Sequence, residues 1–176
     1  NEAAFAGATR WAEETGGTFK ELEMQSEAQR EQALRRLAEA GANLVVCDIN
    51  EAELAAARAA VEEAGSECLT VRCDVSDSAA VQHMFVQAAE RFGTVHILVN
   101  NAALTPNRPS DDVRRNRHYT YLTTPVPRQS LEFTSHITDD EWHRWWGVNV
   151  HGVFYCTREA LKLMEPQQYG RIINIA

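Results

Sequence analysis

The 176-residue sequence lacks the features that mark membrane-spanning, secreted and zinc-binding proteins. No apolar run approaches the length needed to cross a bilayer. The first ten residues carry neither the basic region nor the apolar region of a secretory signal. None of the four cysteines stands in a Cys-x-x-Cys pair, and the six histidines supply no closely spaced zinc ligands. We therefore expect a cytoplasmic protein with no metal site, whose cysteines are small buried apolar residues in a reducing compartment.

The charge balance excludes another class of function. Asp and Glu number 25 against 17 Lys and Arg, which leaves a formal net charge of −8. Non-specific nucleic-acid binding depends on neutralising phosphates with Lys and Arg, so this balance argues against it. Apolar residues make up 44% of the chain and charged residues 24%, which is ordinary for a globular protein with a core. The length favours one domain over residues 1–176.

Short apolar runs alternate with segments of helical periodicity along most of the chain. Strands with both faces covered are typical of such runs, and strand–helix alternation with short connections predicts a parallel sheet with right-handed crossovers. The fold class is therefore α/β, with a doubly wound sheet. The predicted strands are Asn43–Ile49, Cys68–Cys73, Val95–Asn100 and Arg171–Ile175, and the predicted helices are Glu2–Thr15, Glu27–Ala40, Glu51–Ala64, Val81–Phe92 and Asp139–Met164.

Residues 105–135 interrupt the alternation and show no clear periodicity. They hold four prolines, the tyrosines Tyr119 and Tyr121, and a basic cluster of Arg114, Arg115 and Arg117. Long aperiodic segments inside compact domains are often lids or binding loops. Three interpretations stay open for this inserted loop: a lid that attracts an anionic substrate group, a mobile surface excursion, and a docking site for an acidic partner.

Polar residues follow several of the predicted strands, where ligands bind in an open parallel sheet. Asp48 ends the Asn43–Ile49 strand, and an acid there can accept hydrogen bonds from adenosine ribose hydroxyls while its charge disfavours a 2′-phosphate. The alternative is that Asp48 caps the helix from Glu51 onward, a role that Asn50 could also fill. Asp74 and Val75 follow the next strand.

Five segments, taken in order, resemble the short-chain dehydrogenase/reductase family. They read LAEAGANLVVCDIN, CDVSD, ILVNNAA, WWGVNVHGVFYCTREALK and GRIINIA. The resemblance covers about Ala33–Leu104 and Thr138–Ala176. It implies a Rossmann-like fold, a small-molecule alcohol or ketone substrate, reversible hydride transfer to or from a nicotinamide cofactor, and a homo-oligomer.

The resemblance also implies roles for the residues that follow the strands. Asp48, with Ile49 beside it, would bind the adenosine ribose and favour NAD over NADP. Asp74 would bond the adenine amino group, next to the Val75 backbone. Asn101 and its neighbour, Ala102, would lie along the cofactor, with Ala103 in place of the family's usual glycine and Asn100 bracing the sheet.

Asn149 would be the family's catalytic asparagine, which holds a water in the proton relay. Independently of the family, its spacing places it on one helical stripe with Trp142, Trp146 and Val153. A polar amide on an apolar face must find hydrogen-bond partners. The alternative is a structural asparagine inside a helix. The tryptophans of this helix are expected in a core or in an oligomer interface.

Two parts of the family's machinery are not found in the sequence. Thr18–Ser26, before the Glu27 helix, has no glycine, although a glycine-rich turn normally lets backbone amides approach the pyrophosphate. No tyrosine is followed by a lysine four residues later, and the catalytic serine is also absent. We expect a fold that is incomplete at the first strand and after the fifth, with Phe19–Met24 in the position of the first strand. We also expect that the chain by itself binds NAD weakly and turns over no alcohol. The alternative function is a non-catalytic Rossmann-like protein that serves in binding or subunit association.

Overall fold

The computed structural model describes residues 27–105, 109–132 and 134–175. The described chain is an α/β structure, as predicted, with strands and helices in alternation over its first half. The helices are α1 (Glu27–Glu39), α2 (Glu51–Glu63), α3 (Ser78–Phe92), α4 (Pro109–Thr123), α5 (Asp139–Trp146) and α6 (Val153–Met164), and the strands are β1 (Leu44–Asp48), β2 (Cys68–Arg72), β3 (Ile97–Asn100) and β4 (Arg171–Asn174). The expected helix Glu2–Thr15 and strand Phe19–Met24 lie outside the described residues.

The structure divides into two compact groups of residues. Within the described chain, the first holds residues 27–44 and 55–68, and the second holds residues 45–54 and 69–175. In the first group, Arg35 of α1 forms a 2.7 Å ion pair with Glu63 of α2. The Ser66 hydroxyl donates to the Ala38 carbonyl at 2.9 Å, so the end of α2 is tied to the end of α1.

The core of the second group forms between strand β2 and helices α3 and α6. Its fully buried side chains include Val81 of α3 and Ala160 of α6. Helix α3 begins where Asp77 caps it, because the Asp77 carboxylate accepts from the backbone N–H groups of Ala79 and Ala80. Aspartate is among the residue types that helix N-caps favour.

The four strands pair in parallel, as predicted, and form two pairs in the described part of the chain. Strand β3 pairs with β4 in a register that sets Ile97 opposite Arg171. Strand β1 pairs with β2: the Leu44 N–H donates to the Glu67 carbonyl at its start, and Asp48 accepts from the Cys73 N–H at its end. The strand predicted to lie between the two pairs is Phe19–Met24, outside the described residues.

The predicted helix over residues 139–164 is continuous but not uniform. Helix α5 and helix α6 are joined by a π-helical segment, Gly147–Gly152, in which the chain is wound more loosely. Across this segment the aromatic residues change their spacing from four to five, so that His151 still packs near Trp146, with ring centroids 6.5 Å apart. Single π turns inside α-helices are frequently found at functional sites.

The prediction of an aperiodic loop over residues 105–135 is wrong in one respect. Its first half forms the 15-residue helix α4, Pro109–Thr123. The described side chains of α4 are almost all exposed, including Tyr119 and Leu122. A helix that buries no apolar stripe leaves no 3.6-residue pattern in the sequence, which is why periodicity did not reveal it. In the described part of the chain, no helix is long and apolar enough to span a membrane.

Candidate functional site

The carboxyl ends of β1 and β2 place two predicted site residues side by side. The Cys73 N–H bonds to the Asp48 carbonyl at 3.0 Å, so Asp48 lies beside the residue that precedes Asp74. The Asp48 carboxylate accepts from the Asn50 N–H at 2.8 Å. Asn50 in turn accepts from the Ala52 N–H at 3.0 Å, and therefore begins helix α2. Of the two candidates for that cap, the structure uses Asn50, and the Asp48 side chain remains exposed beside it.

Described residues hold the Asp74 carboxylate with three hydrogen bonds. One carboxylate oxygen, Oδ1, accepts from the Ser76 N–H at 3.0 Å and from the Ser76 hydroxyl at 2.6 Å. The other, Oδ2, forms a 2.8 Å ion pair with Arg144 of α5. Partial desolvation raises the pKa of Asp74, but the bonds from Ser76 and Arg144 outweigh it and hold the pKa at about 2. Asp74 is therefore ionised at neutral pH.

The remaining predicted cofactor residues differ in their exposure. Val75 is buried in the core of the second group, so only its backbone is available to a ligand. Ile49 is exposed beyond the end of β1. Asn101 and Ala102 are exposed in the turn that follows β3. These exposed positions all lie just after the carboxyl end of a strand, where ligands of open parallel sheets bind.

Asn100 precedes that turn and braces the sheet, as expected. Its side chain is buried, and its amide donates to the Asn174 side chain at 2.8 Å and to the Thr157 hydroxyl at 3.3 Å. Its carbonyl accepts from the Ile175 N–H at 3.0 Å. One side chain therefore joins β3 to both β4 and α6 and fixes the start of the turn.

Asn149 lies within the π-helical segment and reaches the same turn. Its Oδ1 accepts from the Leu104 N–H at 2.7 Å, and its Nδ2 donates to the Leu104 carbonyl at 3.0 Å. The amide predicted to need partners finds them on a backbone 45 residues earlier in the chain. Trp142 and Trp146, predicted on the same stripe, are 48% and 42% exposed and do not belong to the core.

Two residues of this site were not predicted from the sequence. Arg144 binds Asp74, and Leu104 binds Asn149, at separations of 70 and 45 residues. Neither has a local signal, because an arginine on a helix and a leucine after a strand are both ordinary residues at those places. In the described part of the chain, no group of three or more His, Cys, Asp or Glu side chains could hold a metal ion.

The sequence profile of one protein family matches most of this chain. It is described as short chain dehydrogenase, and it matches residues 31–176. This chain belongs to the short-chain dehydrogenase family. Members of this family are oxidoreductases that use nicotinamide cofactors and act on small molecules, and many form oligomers.

The curated relatives of this chain are named for diverse activities. A 3β-hydroxysteroid dehydrogenase from Mediterraneibacter gnavus is 30% identical over 141 residues, which are 80% of this chain and 42% of that protein. A 2-dehydro-3-deoxy-L-rhamnonate dehydrogenase (NAD(+)) from a Sphingomonas species is 33% identical over 176 residues, 99% of this chain and 57% of that protein. This family member thus spans about half the length of the curated relatives it matches.

Solved structures of the family share the fold. The chain superposes on NAD⁺-bound xylitol dehydrogenase with a TM-score of 0.65 and 28% identity, over 85% of this chain and 48% of that one. It also superposes on a metagenomic short-chain oxidoreductase in complex with NADP, with a TM-score of 0.65 and 23% identity, over 83% of this chain and 56% of that one. The second likeness concerns the fold alone.

Proposed function

We propose that this protein is an NAD(H)-linked oxidoreductase that transfers a hydride between an alcohol or ketone carbon and nicotinamide. The observation that carries the proposal is the exposed Asp48 carboxylate at the end of β1, beside the ionised Asp74 at the end of β2. In a family of nicotinamide-dependent oxidoreductases, this is the place for the adenosine half of the cofactor. The bound nicotinamide would supply the hydride acceptor or donor.

Asp48 supports NAD over NADP. Its carboxylate is exposed, and only Asn50 donates to it in the described part of the chain. The oxygen left over can accept from ribose hydroxyls, whereas a 2′-phosphate would meet a like charge. Asp74 and the Val75 backbone would recognise adenine, and Ile49, Asn101 and Ala102 would line the cofactor.

Asn149 is proposed to hold a water of the proton relay beside Leu104. An amide side chain has two lone pairs on its oxygen and two N–H groups on its nitrogen. Leu104 uses one of each, so in the described part of the chain one acceptor position and one donor position remain for a water. The sequence contains no Tyr-x-x-x-Lys pair, so the acid–base residues of the reaction are not assigned to this chain.

Helix α4 is proposed to border the substrate. It follows the turn that Asn149 fixes, and Arg117 projects from its exposed surface. The Tyr121 hydroxyl accepts from the Gln129 N–H at 3.0 Å and folds the end of the insertion back on α4. An exposed arginine on such an element could attract an anionic substrate group.

The helix that carries Asn149 is proposed to form a contact between subunits of a homo-oligomer. Trp142, Trp146, Val150 and Phe154 are exposed at four-residue intervals along one run of helix, and Phe154 is 57% exposed. Large exposed apolar patches on a soluble protein mark interaction surfaces. The four cysteines are all free, which fits a reducing compartment such as the cytoplasm.

The proposal is tested by titrating the chain with NAD⁺, NADP⁺ and AMP while the amide signals of residues after the strands are followed by NMR. We expect weak binding of NAD⁺ and AMP, and weaker binding of NADP⁺. Asp48→Asn should reduce the difference between the affinities of the chain for NAD⁺ and for NADP⁺. Signals that respond to none of the three ligands would contradict a cofactor site.

Turnover is tested on a longer protein, in which this chain is extended to the full length of its curated relatives. NADH formation from a panel of secondary alcohols would support the oxidoreductase. Binding of NAD⁺ with no turnover of any alcohol or ketone would favour the alternative, a non-catalytic protein for adenosine binding or subunit association. Light scattering of the same sample measures the oligomeric state.

A further inference from the structure

Arg144 connects two parts of the candidate site that lie far apart in the sequence. It belongs to α5, five residues before Asn149, and its Nη1 atom donates to Asp74 Oδ2 at 2.8 Å and to the Ser76 hydroxyl oxygen at 3.2 Å. The Ser76 hydroxyl donates its own proton to Asp74 Oδ1. The three side chains therefore close a ring of hydrogen bonds, in which every donor points at an acceptor.

Among the described residues, the ring leaves one acceptor position of Asp74 open. An ionised carboxylate offers about four lone pairs, two on each oxygen. Ser76 occupies both positions of Oδ1, through its N–H and its hydroxyl, and Arg144 occupies one position of Oδ2. The carboxylate side chain is 34% exposed and that of Arg144 is 46% exposed, so the remaining Oδ2 position is accessible to a ligand. The guanidinium sets the direction in which this last lone pair points.

The same contact joins the turn after β2 to the helical run that carries Asn149. Gly147, at the start of the π-helical segment, lies so close to Ser76 that a Cβ on it would be 3.2 Å from the Ser76 Cβ. The turn is thus packed against the helix on one side of Arg144 and hydrogen-bonded to it through the guanidinium. A displacement of the turn would therefore also move the helical run that carries Asn149. Asn149 in turn is hydrogen-bonded to Leu104.

We propose that Arg144 is a positioning residue for the adenosine half of the cofactor, which aims the open Oδ2 position of Asp74 at the ligand and fixes the Asp74–Ser76 turn against the Asn149 helix. This inference rests on the proposed function, because it requires that a nucleotide binds at the end of β2. In this proposal Arg144 acts through Asp74 and not on the reacting carbon.

The test compares Arg144→Leu, Arg144→Gln and Arg144→Lys with the unaltered chain. Arg35→Leu is the matched control, because it removes another arginine from an ion pair, the one with Glu63, that lies in the first group of residues. AMP is the probe, and its affinity is measured by NMR titration. We expect Arg144→Leu and Arg144→Gln to weaken AMP binding by about fivefold to tenfold, and Arg144→Lys and Arg35→Leu by no more than about twofold.

A second measurement separates positioning from a merely structural role. The titration of the Asp74 carboxyl carbon is followed in the absence of nucleotide. We expect Arg144→Leu to raise the pKa of Asp74 from about 2 towards its ordinary value, and to speed hydrogen exchange of the Leu104 N–H. Arg144→Lys should restore both, since its ammonium group keeps the charge and a donor.

The outcomes distinguish this inference from the proposed function. Equal AMP affinity in the unaltered chain and in both Arg144→Leu and Arg144→Gln would overturn the inference and leave the proposed cofactor site intact. If AMP fails to bind the unaltered chain, the proposed cofactor site is wrong, and the inference about Arg144 is overturned with it because no nucleotide binds beside Asp74. A loss of AMP affinity equal to that of Arg35→Leu would also overturn the inference, because it would reflect a general loss of stability.

Discussion

Gly152 lies so close to Val75 that a side chain at residue 152 would clash with it. A Cβ on Gly152 would be 2.7 Å from the Cγ2 atom of Val75 and 3.3 Å from its carbonyl oxygen. Val75 is buried, so it has little space into which it can move. The end of the π-helical segment can approach the end of β2 only because residue 152 is glycine.

Gly152→Ala should therefore destabilise the protein by about 1–3 kcal/mol, although alanine is normally the better helix former. Gly147→Ala is the matched comparison, because its Cβ would lie 3.2 Å from the Ser76 Cβ and 3.9 Å from the Ser76 Oγ, which is a looser fit. We expect that variant to lose less than about 1 kcal/mol. The measurement is the denaturant midpoint of each variant, and Val75→Ala should recover part of the loss in Gly152→Ala. Equal stability of the two glycine variants would contradict this close packing.

The lowered pKa of Asp74 predicts that the folded protein loses stability in acid. Its pKa is lowered to about 2 in the folded protein and lies near 3.8 in an unfolded chain. The ionised form is thus favoured by folding, and its contribution is complete above about pH 4 and is lost as the pH falls towards 2. The free energies of unfolding of the unaltered chain and of Asp74→Asn should differ above about pH 4 and converge below it. Asp112→Asn, which removes one partner of an exposed ion pair on α4, is the control. A constant difference across this range would show that Asp74 is not held in its ionised form.

Asn149 should control the mobility of the turn after β3. Asn149→Ala removes both hydrogen bonds to Leu104, and we expect faster exchange of the Leu104 N–H together with a stability loss of about 1 kcal/mol. Asn116→Ala, on the exposed surface of α4, is the control, since the described contact of that residue is through its backbone carbonyl. Hydrogen exchange measured by NMR decides the outcome. Unchanged protection of Leu104 in Asn149→Ala would contradict the role of this amide.

The raised pKa values of three cysteines predict that the folded protein loses stability at alkaline pH. Burial raises the pKa of Cys47, Cys73 and Cys156 to about 11 from an ordinary value of 9.0. Between about pH 9 and pH 11 the unfolded chain ionises its thiols while the folded chain keeps them protonated, so unfolding becomes easier as the pH rises. Cys47→Ala should lower the slope of the denaturant midpoint against pH in this range. An identical slope in both proteins would show that Cys47 ionises equally well when folded.

The class of fold could be predicted because its signals are local. Strands β1 and β3 are short apolar runs, and α3 carries an apolar stripe behind an acidic cap, all of which depend on residues within a few positions of one another. Helix α4 was missed because it lacks such a local signal. It has an exposed surface on nearly every side, and a helix that buries nothing carries no periodic signal.

The candidate site could be predicted only in part. The sequence alone determined which polar residues follow the strands, since Asp48, Asp74 and Asn101 stand at or just after the ends of the predicted strands. It also showed that Asn149 needs hydrogen-bond partners, because an amide among apolar residues cannot be left unpaired. It could not show what those partners are.

The tertiary structure decided the partners and the orientation of these groups. Arg144 meets Asp74 across 70 residues, and Leu104 meets Asn149 across 45, because the fold brings the π-helical segment against the ends of β2 and β3. Hydrogen bonds act over about 3 Å and depend on direction, so they are set by how helices and strands pack and not by the order of residues along the chain. The sequence determines which chemical groups are present at this site, and tertiary packing determines which of them are in contact.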